Sequence, residues 1–273
     1  MYEILEKRAL NNDVDLFVIK APLVAKNTKP GNFVIIRVNQ KGERIPLTIV
    51  ENDSNTITII SQKVGFSTKL LSKLEIGDSL EDVVGPLGLP SHIKPVKNLV
   101  AVAGGVGAAP LFPQLKAYHE QGAKIDLIIG GRDKEHLLLM DEYKKIVDNI
   151  YPCTDDGSFG TKGFVTTVLK KLLTEKTYDL SIAIGPLVMM KSVVEINKTY
   201  KLKTDVSLNP IMIDGTGMCG NCRVSINGKT FFACVDGPDF PAEGIDFEEL
   251  LSRQNYYKNE EHVCNLRLGE SDD

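Results

Sequence analysis

Three cysteines and an aspartate crowd one short stretch of the chain, IMIDGTGMCGNCRVSINGKTFFACVDG, at residues 211–237. Cys219, Cys222 and Cys234 follow Cys-x2-Cys-x11-Cys, and Asp214 stands five residues before the first thiol. Thiolates are soft donors, and a plant-type iron-sulfur loop spaces its first three as C-x4-C-x2-C with a distant fourth. The run D-x4-C-x2-C-x11-C is that spacing with a carboxylate in first place, so Asp214, Cys219, Cys222 and Cys234 are candidate ligands of a 2Fe-2S cluster. Gly215, Gly217 and Gly220 let such a loop wrap a compact inorganic core and aim backbone donors at its sulfides. The same residues admit a zinc site of three thiolates and one carboxylate, a Cys-x-x-Cys redox couple that leaves Cys234 without a role, or merely buried thiols. The spacing favours the cluster.

A second kind of chemistry is carried by AVAGGVGAAP at residues 101–110. Gly104, Gly105 and Gly107 stand where a buried strand hands over to a helix, so the backbone can approach a pyrophosphate and the helix N-terminus can face its charge. Pro110 occupies the place of the usual third glycine, and it suits a first helical turn because its missing donor would be an orphan there. Alone, such a turn is as readily structural as functional. Three more predicted strands end in turns, GGR at 130–132, CTDDG at 153–157 and GPLVMM at 185–190. Ligands of open parallel sheets lie across the carboxyl ends of the strands. The candidate dinucleotide residues are therefore Gly105, Gly107, Ala108, Pro110, Arg132, Asp155, Gly185 and Met189. Arg132 can face an adenosine ribose or its 2′-phosphate, or be a solvated arginine. Asp133 can receive free ribose hydroxyls, so the pattern leaves NAD(H) and NADP(H) both open.

Earlier in the chain, RIPLTIV places Arg44, Pro46, Leu47 and Thr48 at a strand start. An arginine fork suits a pyrophosphate, and a threonine hydroxyl with strand backbone can hydrogen-bond a planar ring system. The plainer reading is an edge strand with a proline. In QKVGFSTKLL, Gly65, Ser67 and Thr68 stand just before a helix, with Ser67 as its candidate N-cap, and offer a second anion site.

These residues need elements to hold them. Residues 1–95 alternate apolar and polar positions in six short runs with one helix at FSTKLLSKL, which predicts an antiparallel β-barrel. From residue 96 to 203, continuous apolar strands alternate with helices, which predicts a doubly wound parallel sheet, an α/β architecture. Residues 204–273 are expected to form a small subdomain for the cluster, with a CRVSINGKTFFAC hairpin turning at Asn227-Gly228 and an acidic tail. The 273 residues suit two domains and an appendage. The net charge of −4, with 32 basic and 36 acidic residues, offers no basic stripe and argues against nucleic acid. No apolar run is long enough to span a membrane, and the start lacks a secretory pattern, so a soluble, cytoplasmic protein is expected. An odd total of five cysteines, three of them clustered, suits metal or redox chemistry in a reducing compartment. Cys153 reads as a small buried hydrophobe beside the crevice, while Cys264 and His262 carry no motif.

In order along the chain, KPGNFV, RIPLTI, VGFSTKLL, GPLG, GGVGAAP, GGR, DDG and IGPLVMM resemble the motifs of the ferredoxin reductase-like flavoprotein superfamily. The resemblance covers residues 1 to about 200. It implies that residues 1–95 bind FAD, with Arg44, Pro46, Leu47 and Thr48 along the flavin and Gly65, Ser67 and Thr68 at its pyrophosphate, and that Gly105 to Pro110 face NAD(P) phosphates. Many of its members carry a cysteine before the GP motif, where this chain has Ala183-Ile184-Gly185. With the cysteine segment added, the whole chain resembles the electron-transfer subunits of dihydroorotate dehydrogenase B, of sulfide dehydrogenase and, through its aspartate and CVDGPDF, of the bifurcating NADH-dependent reduced ferredoxin:NADP oxidoreductase. That resemblance implies electron flow between NAD(P)H, FAD and a 2Fe-2S cluster. It also implies a heterodimer with a larger flavin and iron-sulfur subunit, and ferredoxin reached through that complex. A non-enzymatic alternative is a zinc-stabilised, nucleotide-binding redox sensor.

Overall fold

The computed structural model describes residues 2–260 and 262–263, so Cys264 lies outside the described residues. The chain forms two compact units. The first takes residues up to Leu89, Pro210–Asp236 and the chain from Asp246, and the second takes Pro90–Asn209 and Gly237–Ile245.

The first unit begins with β1 (Tyr2–Asn11), β2 (Val14–Lys20), α1 (Pro22–Ala25), β3 (Phe33–Arg37), β4 (Arg44–Asn52), β5 (Thr56–Gln62), α2 (Phe66–Ser72), β6 (Ser79–Leu80) and β7 (Asp82–Leu87). Its seven strands run in the order β6-β1-β2-β5-β4-β3-β7. The last of the six expected runs divides into β6 and β7, which are the two edges of the sheet and are separated in sequence by Glu81 alone. One residue bridges both edges, so the sheet has curled into a nearly closed antiparallel barrel. Register shifts between Ile4 and Glu6 and between Phe33 and Ile35 supply local bends that help it curl. Ile4, Phe17, Ile19, Val34, Ile36, Ile49, Ile57 and Ile59 fill the interior, with Leu71 of α2 among them. Strand β3 is apolar on both faces. Val34 and Ile36 point into this core, while Phe33 and Ile35 alternate to the outer face and are equally buried.

The second unit contains β8 (Asn98–Gly104), a 3₁₀ turn at Gly105–Gly107, α3 (Ala108–Glu120), β9 (Lys124–Gly131), α4 (Met140–Tyr143), β10 (Asn149–Thr154), β11 (Thr161–Lys162), α5 (Val165–Glu175), β12 (Leu180–Ile184), α6 (Leu187–Thr199) and β13 (Thr204–Ser207). The chain then returns to the first unit for β14 (Arg223–Ile226), β15 (Lys229–Phe232) and α7 (Ala233–Asp236). It adds β16 (Asp239–Pro241) to the second unit and ends its described course with α8 (Phe247–Arg253) in the first. The second sheet runs β11-β10-β9-β8-β12-β13-β16, parallel except for β16. Within it, β10-β9-β8-β12-β13 follow the doubly wound pattern, and the order reverses between β8 and β12. Residues Leu99 to Ala103 are fully buried, as expected of a central parallel strand covered on both faces.

The β13–β16 edge of this unit holds a buried carboxylic acid. Asp239 Oδ2 accepts from Ser91 Oγ at 2.5 Å and from Gln114 Nε2 at 3.0 Å. Burial pushes its pKa up, against hydrogen bonds from Ser207, Ser91 and Gln114 and with Asp205 pushing the same way. Asp205 is itself raised by burial, against the charges of Lys94 and His92, and buried Tyr118 is pushed up to about 12. The folded chain therefore keeps the Asp239 proton to a higher pH than the unfolded chain. Its contribution to stability is full below the unfolded carboxyl pKa of about 4 and is lost as pH rises through the folded value. Asp239→Asn should melt above the parent at pH 8, with the gap closing toward pH 4. A gap that does not change with pH would show that Asp239 is ionised in the fold.

Candidate functional site

A two-residue turn organises the cysteine segment. Asn227 and Gly228 both have positive φ, 50° and 72°, as a type I′ hairpin requires. That turn sets the β14–β15 register with Arg223 opposite Phe232, and Ala233 N donates to Cys222 O at 3.0 Å. Cys222 and Cys234 thus meet at the open end of the hairpin, both buried, with Cys234 N donating to Cys222 Sγ at 3.4 Å. Burial and the neighbouring Cys222 thiol push Cys234 up to about 12. The other two donors form a second pair. Asp214 Oδ2 accepts from Cys219 N at 3.0 Å, and Oδ1 accepts from Thr216 N at 3.0 Å. Burial pulls the Asp214 carboxyl upward, but the bonds from Thr216 and Cys219 more than offset it and hold it below the usual carboxylate range. Among the described residues, no three His, Cys, Asp or Glu side chains already converge at metal-holding distance. The donor set still fits a small iron-sulfur core in kind. Three thiols and one carboxylate lie on one continuous loop and hairpin, with backbone N–H groups beside both pairs.

The loop rests on the outer face of the barrel. Gly215 has φ 77°, and a Cβ there would stand 2.6 Å from Ile35 Cδ1 and 2.7 Å from Leu87 Cδ1. Only a glycine brings the backbone this close, and this contact covers the outward apolar residues of β3. Arg44 Nε donates to Ile213 O at 3.2 Å, and its Nη1 lies 3.5 Å from Asp82 Oδ2.

Alternation along β4 divides the residues expected beside a flavin. Arg44, Pro46 and Thr48 pair with Arg37, Ile35 and Phe33 of β3 on the outer face, whereas Leu47 packs against the barrel core. Leu47 thus offers the outer face only its backbone. At the start of α2, Thr68 Oγ1 accepts from Gly65 N at 3.0 Å and Val64 N at 3.1 Å, while buried Ser67 accepts from Glu43 N at 2.8 Å. Thr68 thus braces the turn before the helix, whose cap is Gly65, while Ser67, expected as the cap, lies inside the first turn of α2 and ties it to Glu43.

In the second unit, the glycine-rich turn lies at the point where the strand order reverses. A Cβ on Gly107 would strike the carbonyl of Ile184 and the Cα of Gly185, so the ends of β8 and β12 are pressed backbone to backbone. Gly105, Gly107, Ala108, Pro110, Gly185 and Met189 are gathered here, with Met189 Sδ over Gly104, 2.5 Å from where a Cβ would be. Arg132 sits at the end of β9. Its side chain is 68% exposed, with Nη2 3.0 Å from His136 Nε2 and Nε 3.5 Å from Asp133 Oδ2. Asp133 caps the next turn, taking Glu135 N, His136 N and His136 Nδ1 on Oδ1. The His136 hydrogen bond lowers its pKa despite burial. Asp155 is exposed after β10, and Cys153 is fully buried, its thiol raised by burial to about 11.

Sequence reasoning missed the braces. Arg253 of α8, 8% exposed, donates from Nη2 to Asn221 O at 2.8 Å, and Asn221 Nδ2 donates to Ile211 O at 3.0 Å. Asn221, between Cys219 and Cys222, is thereby tied both to α8 and to Ile211. No local signal marks Arg253, because its partner lies 32 residues away.

Comparison with known proteins agrees with this layout. Residues 209–246 match the iron-sulfur cluster binding domain of dihydroorotate dehydrogenase B, and residues 101–195 match the oxidoreductase NAD-binding domain. A Thermotoga maritima protein described as a dihydroorotate dehydrogenase B (NAD(+)) electron transfer subunit homolog is 44% identical over 268 residues, 97% of this chain and 95% of the relative. A solved chain of the NADH-dependent reduced ferredoxin-NADP oxidoreductase, studied for flavin-based electron bifurcation, is 43% identical with a TM-score of 0.93, covering 98% of both chains. A ferredoxin NADP+ reductase from Neisseria gonorrhoeae, 19% identical with a TM-score of 0.60 over 72% of this chain and 89% of its own, shares the fold. No helix among the described residues is long and apolar enough to cross a membrane. With a barrel, a doubly wound NAD-binding unit and a C-terminal iron-sulfur binding segment, the chain belongs to the family of dihydroorotate dehydrogenase B-type electron-transfer subunits.

Proposed function

We propose that this chain is an electron-transfer flavoprotein subunit that moves electrons between NAD(P)H and a larger partner, through FAD and a 2Fe-2S cluster. The observation that carries the reading is the packing of the cysteine loop on the outer face of β3, beside Arg44 of β4. Residues suited to a flavin and residues suited to a cluster thereby share one face of one unit. When bound, the flavin supplies the exchange of a hydride pair for single electrons, and the cluster supplies a one-electron site.

The chain's own residues bind and orient. Arg44 keeps a rigid fork beside the loop and presents it toward a phosphate, with Thr48 on the same outward row. Gly65, Ser67 and Thr68 shape the turn at the other end of the flavin. Gly105 to Pro110 and Gly185 offer backbone to a dinucleotide pyrophosphate, with Arg132 and Asp155 at neighbouring strand ends. Asp214, Cys219, Cys222 and Cys234 hold the cluster. Met218, 89% exposed beside Cys219, leaves that end of the loop open to a partner. The partner is proposed to be a larger flavin and iron-sulfur subunit forming a heterodimer, with ferredoxin and NADP as its reactants. The 43% identical solved chain supports that assignment, while the relatives' name supports a second one, in which the partner oxidises dihydroorotate.

The complex purified from native cells tests both. A yellow-brown protein with flavin bands and equal iron and sulfide is expected, and a colourless protein carrying one zinc would overturn the reading. Dihydroorotate-dependent reduction of NAD would select the second partner. Asp214→Cys should retain a 2Fe-2S cluster with a changed paramagnetic resonance signal and potential. An unchanged signal and potential in Asp214→Ala would remove Asp214 from the ligand set.

A further inference from the structure

We infer that Tyr143, remote in sequence from every glycine of the crevice, is a positioning residue that holds the pyrophosphate-facing turn of the second unit. The inference rests on the proposal that this turn binds NAD(P)H.

The first turn of α3 is weakly held by its own backbone. Pro113 stands inside the helix and brings no N–H, so the carbonyl of Ala109 has no i+4 donor. On its β12 side the turn is clamped, since Gly107 already lies against the Ile184 carbonyl and Gly185. Tyr143 supplies a second hold. Its hydroxyl donates to Ala108 O at 2.5 Å, and its ring is fully buried against Phe112, edge to face with centroids 5.4 Å apart. Ala108 directly follows the 3₁₀ turn and Phe112 lies one helical turn beyond it, so a single side chain grips both ends of the first turn. Burial raises the Tyr143 pKa well above the usual phenol range, which keeps the hydroxyl a donor.

The element carrying Tyr143 also fixes its direction. Leu139, with φ 57° and ψ 28°, caps α4 in the left-handed region, and Tyr143 N donates to Leu139 O at 2.9 Å. A branched residue there carries a conformational cost, offset by the burial of Leu137, Leu138 and Leu139. The same segment begins at Arg132, Asp133 and His136. Residues 132–143 therefore link the end of β9 to the carbonyl at the start of α3.

The test uses the full chain with its flavin and cluster, with NADH and NADPH as reductants of the flavin and ADP-ribose as a non-reacting pyrophosphate probe. Tyr143→Phe keeps the ring and removes the hydrogen bond. The expected result is a rise of about 3- to 10-fold in KM and in the ADP-ribose dissociation constant, with flavin reduction at saturating nucleotide within about twofold of the parent. Phe112→Leu loosens the ring packing but keeps the hydroxyl, and should lower the melting temperature with a smaller KM change. Tyr143→Phe with unchanged KM, or Phe112→Leu with an equal rise, would overturn the assignment and leave Tyr143 as core packing. If neither nucleotide reduces the flavin of the parent protein, the crevice reading itself fails, and the role of Tyr143 falls with it.

Discussion

Cys222→Ser should abolish the cluster and lower electron delivery to the partner by about a hundredfold or more, while NAD(P)H still reduces the bound flavin at close to the parent rate. The expectation follows from placement. Cys222 is 1% exposed at the open end of the hairpin, with its sulfur accepting the Cys234 amide. A serine oxygen is a harder donor with a far higher pKa, and a buried site makes its ionised form costlier still. The segment also has little core of its own. Two four-residue strands and a four-residue helix cannot bury much apolar surface, so a bound cluster should contribute to their order. The crevice of the second unit lies on other elements and keeps its packing, and β4 is held by its own pairing with β3 and β5, so the residues proposed to face the flavin stay in place apart from the Arg44–Ile213 hydrogen bond. Iron and sulfide content with rapid-mixing absorbance separates the two halves. A variant retaining full iron and sulfide would show that Cys222 is not a ligand.

Gly107→Ala should damage the other half. A Cβ at Gly107 would lie 2.7 Å from the Ile184 carbonyl carbon and 2.8 Å from Gly185 Cα. Both obstacles are backbone, so no side-chain rotation relieves the clash, and the β8–α3 turn must move away from β12. Overpacking of this kind costs about 1–3 kcal/mol. The displacement falls on the turn proposed to face the pyrophosphate, so the KM for NAD(P)H should rise about tenfold or more. The cluster should remain fully loaded, since its proposed ligands belong to the first unit. Thermal melting, iron content and KM on one preparation check all three. A normal KM with a lowered melting temperature would mean that this turn does not meet the nucleotide.

The elements were legible wherever neighbouring residues encode them. Alternation marked the barrel strands, continuous apolar runs marked β8, β9 and β12, and Asn227-Gly228 marked the hairpin whose register brings Cys222 to Cys234. Pattern could not show which strands close a sheet. Residues 204–273 read as one stretch after the last helix, yet β13 and β16 complete the second unit while residues 210–236 pack with the barrel. Leu47 and Thr48 read alike in RIPLTIV, and only the pairing of β4 with β3 turns one to the core and the other outward.

The sequence by itself determined the chemistry on offer: the donor types and spacing of Asp214, Cys219, Cys222 and Cys234, the glycines of the turn proposed to face a phosphate, and the classes of both sheets. These are properties of contiguous residues, set by donor type, backbone freedom and side-chain period. The tertiary structure alone decided that the cysteine loop lies on the barrel with Ile213 against Arg44, that Arg253 ties that loop, and that Tyr143 grips Ala108. Those contacts join residues 169, 32 and 35 positions apart, respectively. They form only once each unit's buried surface has paid the entropy of closing the chain between them, and no local pattern carries that information.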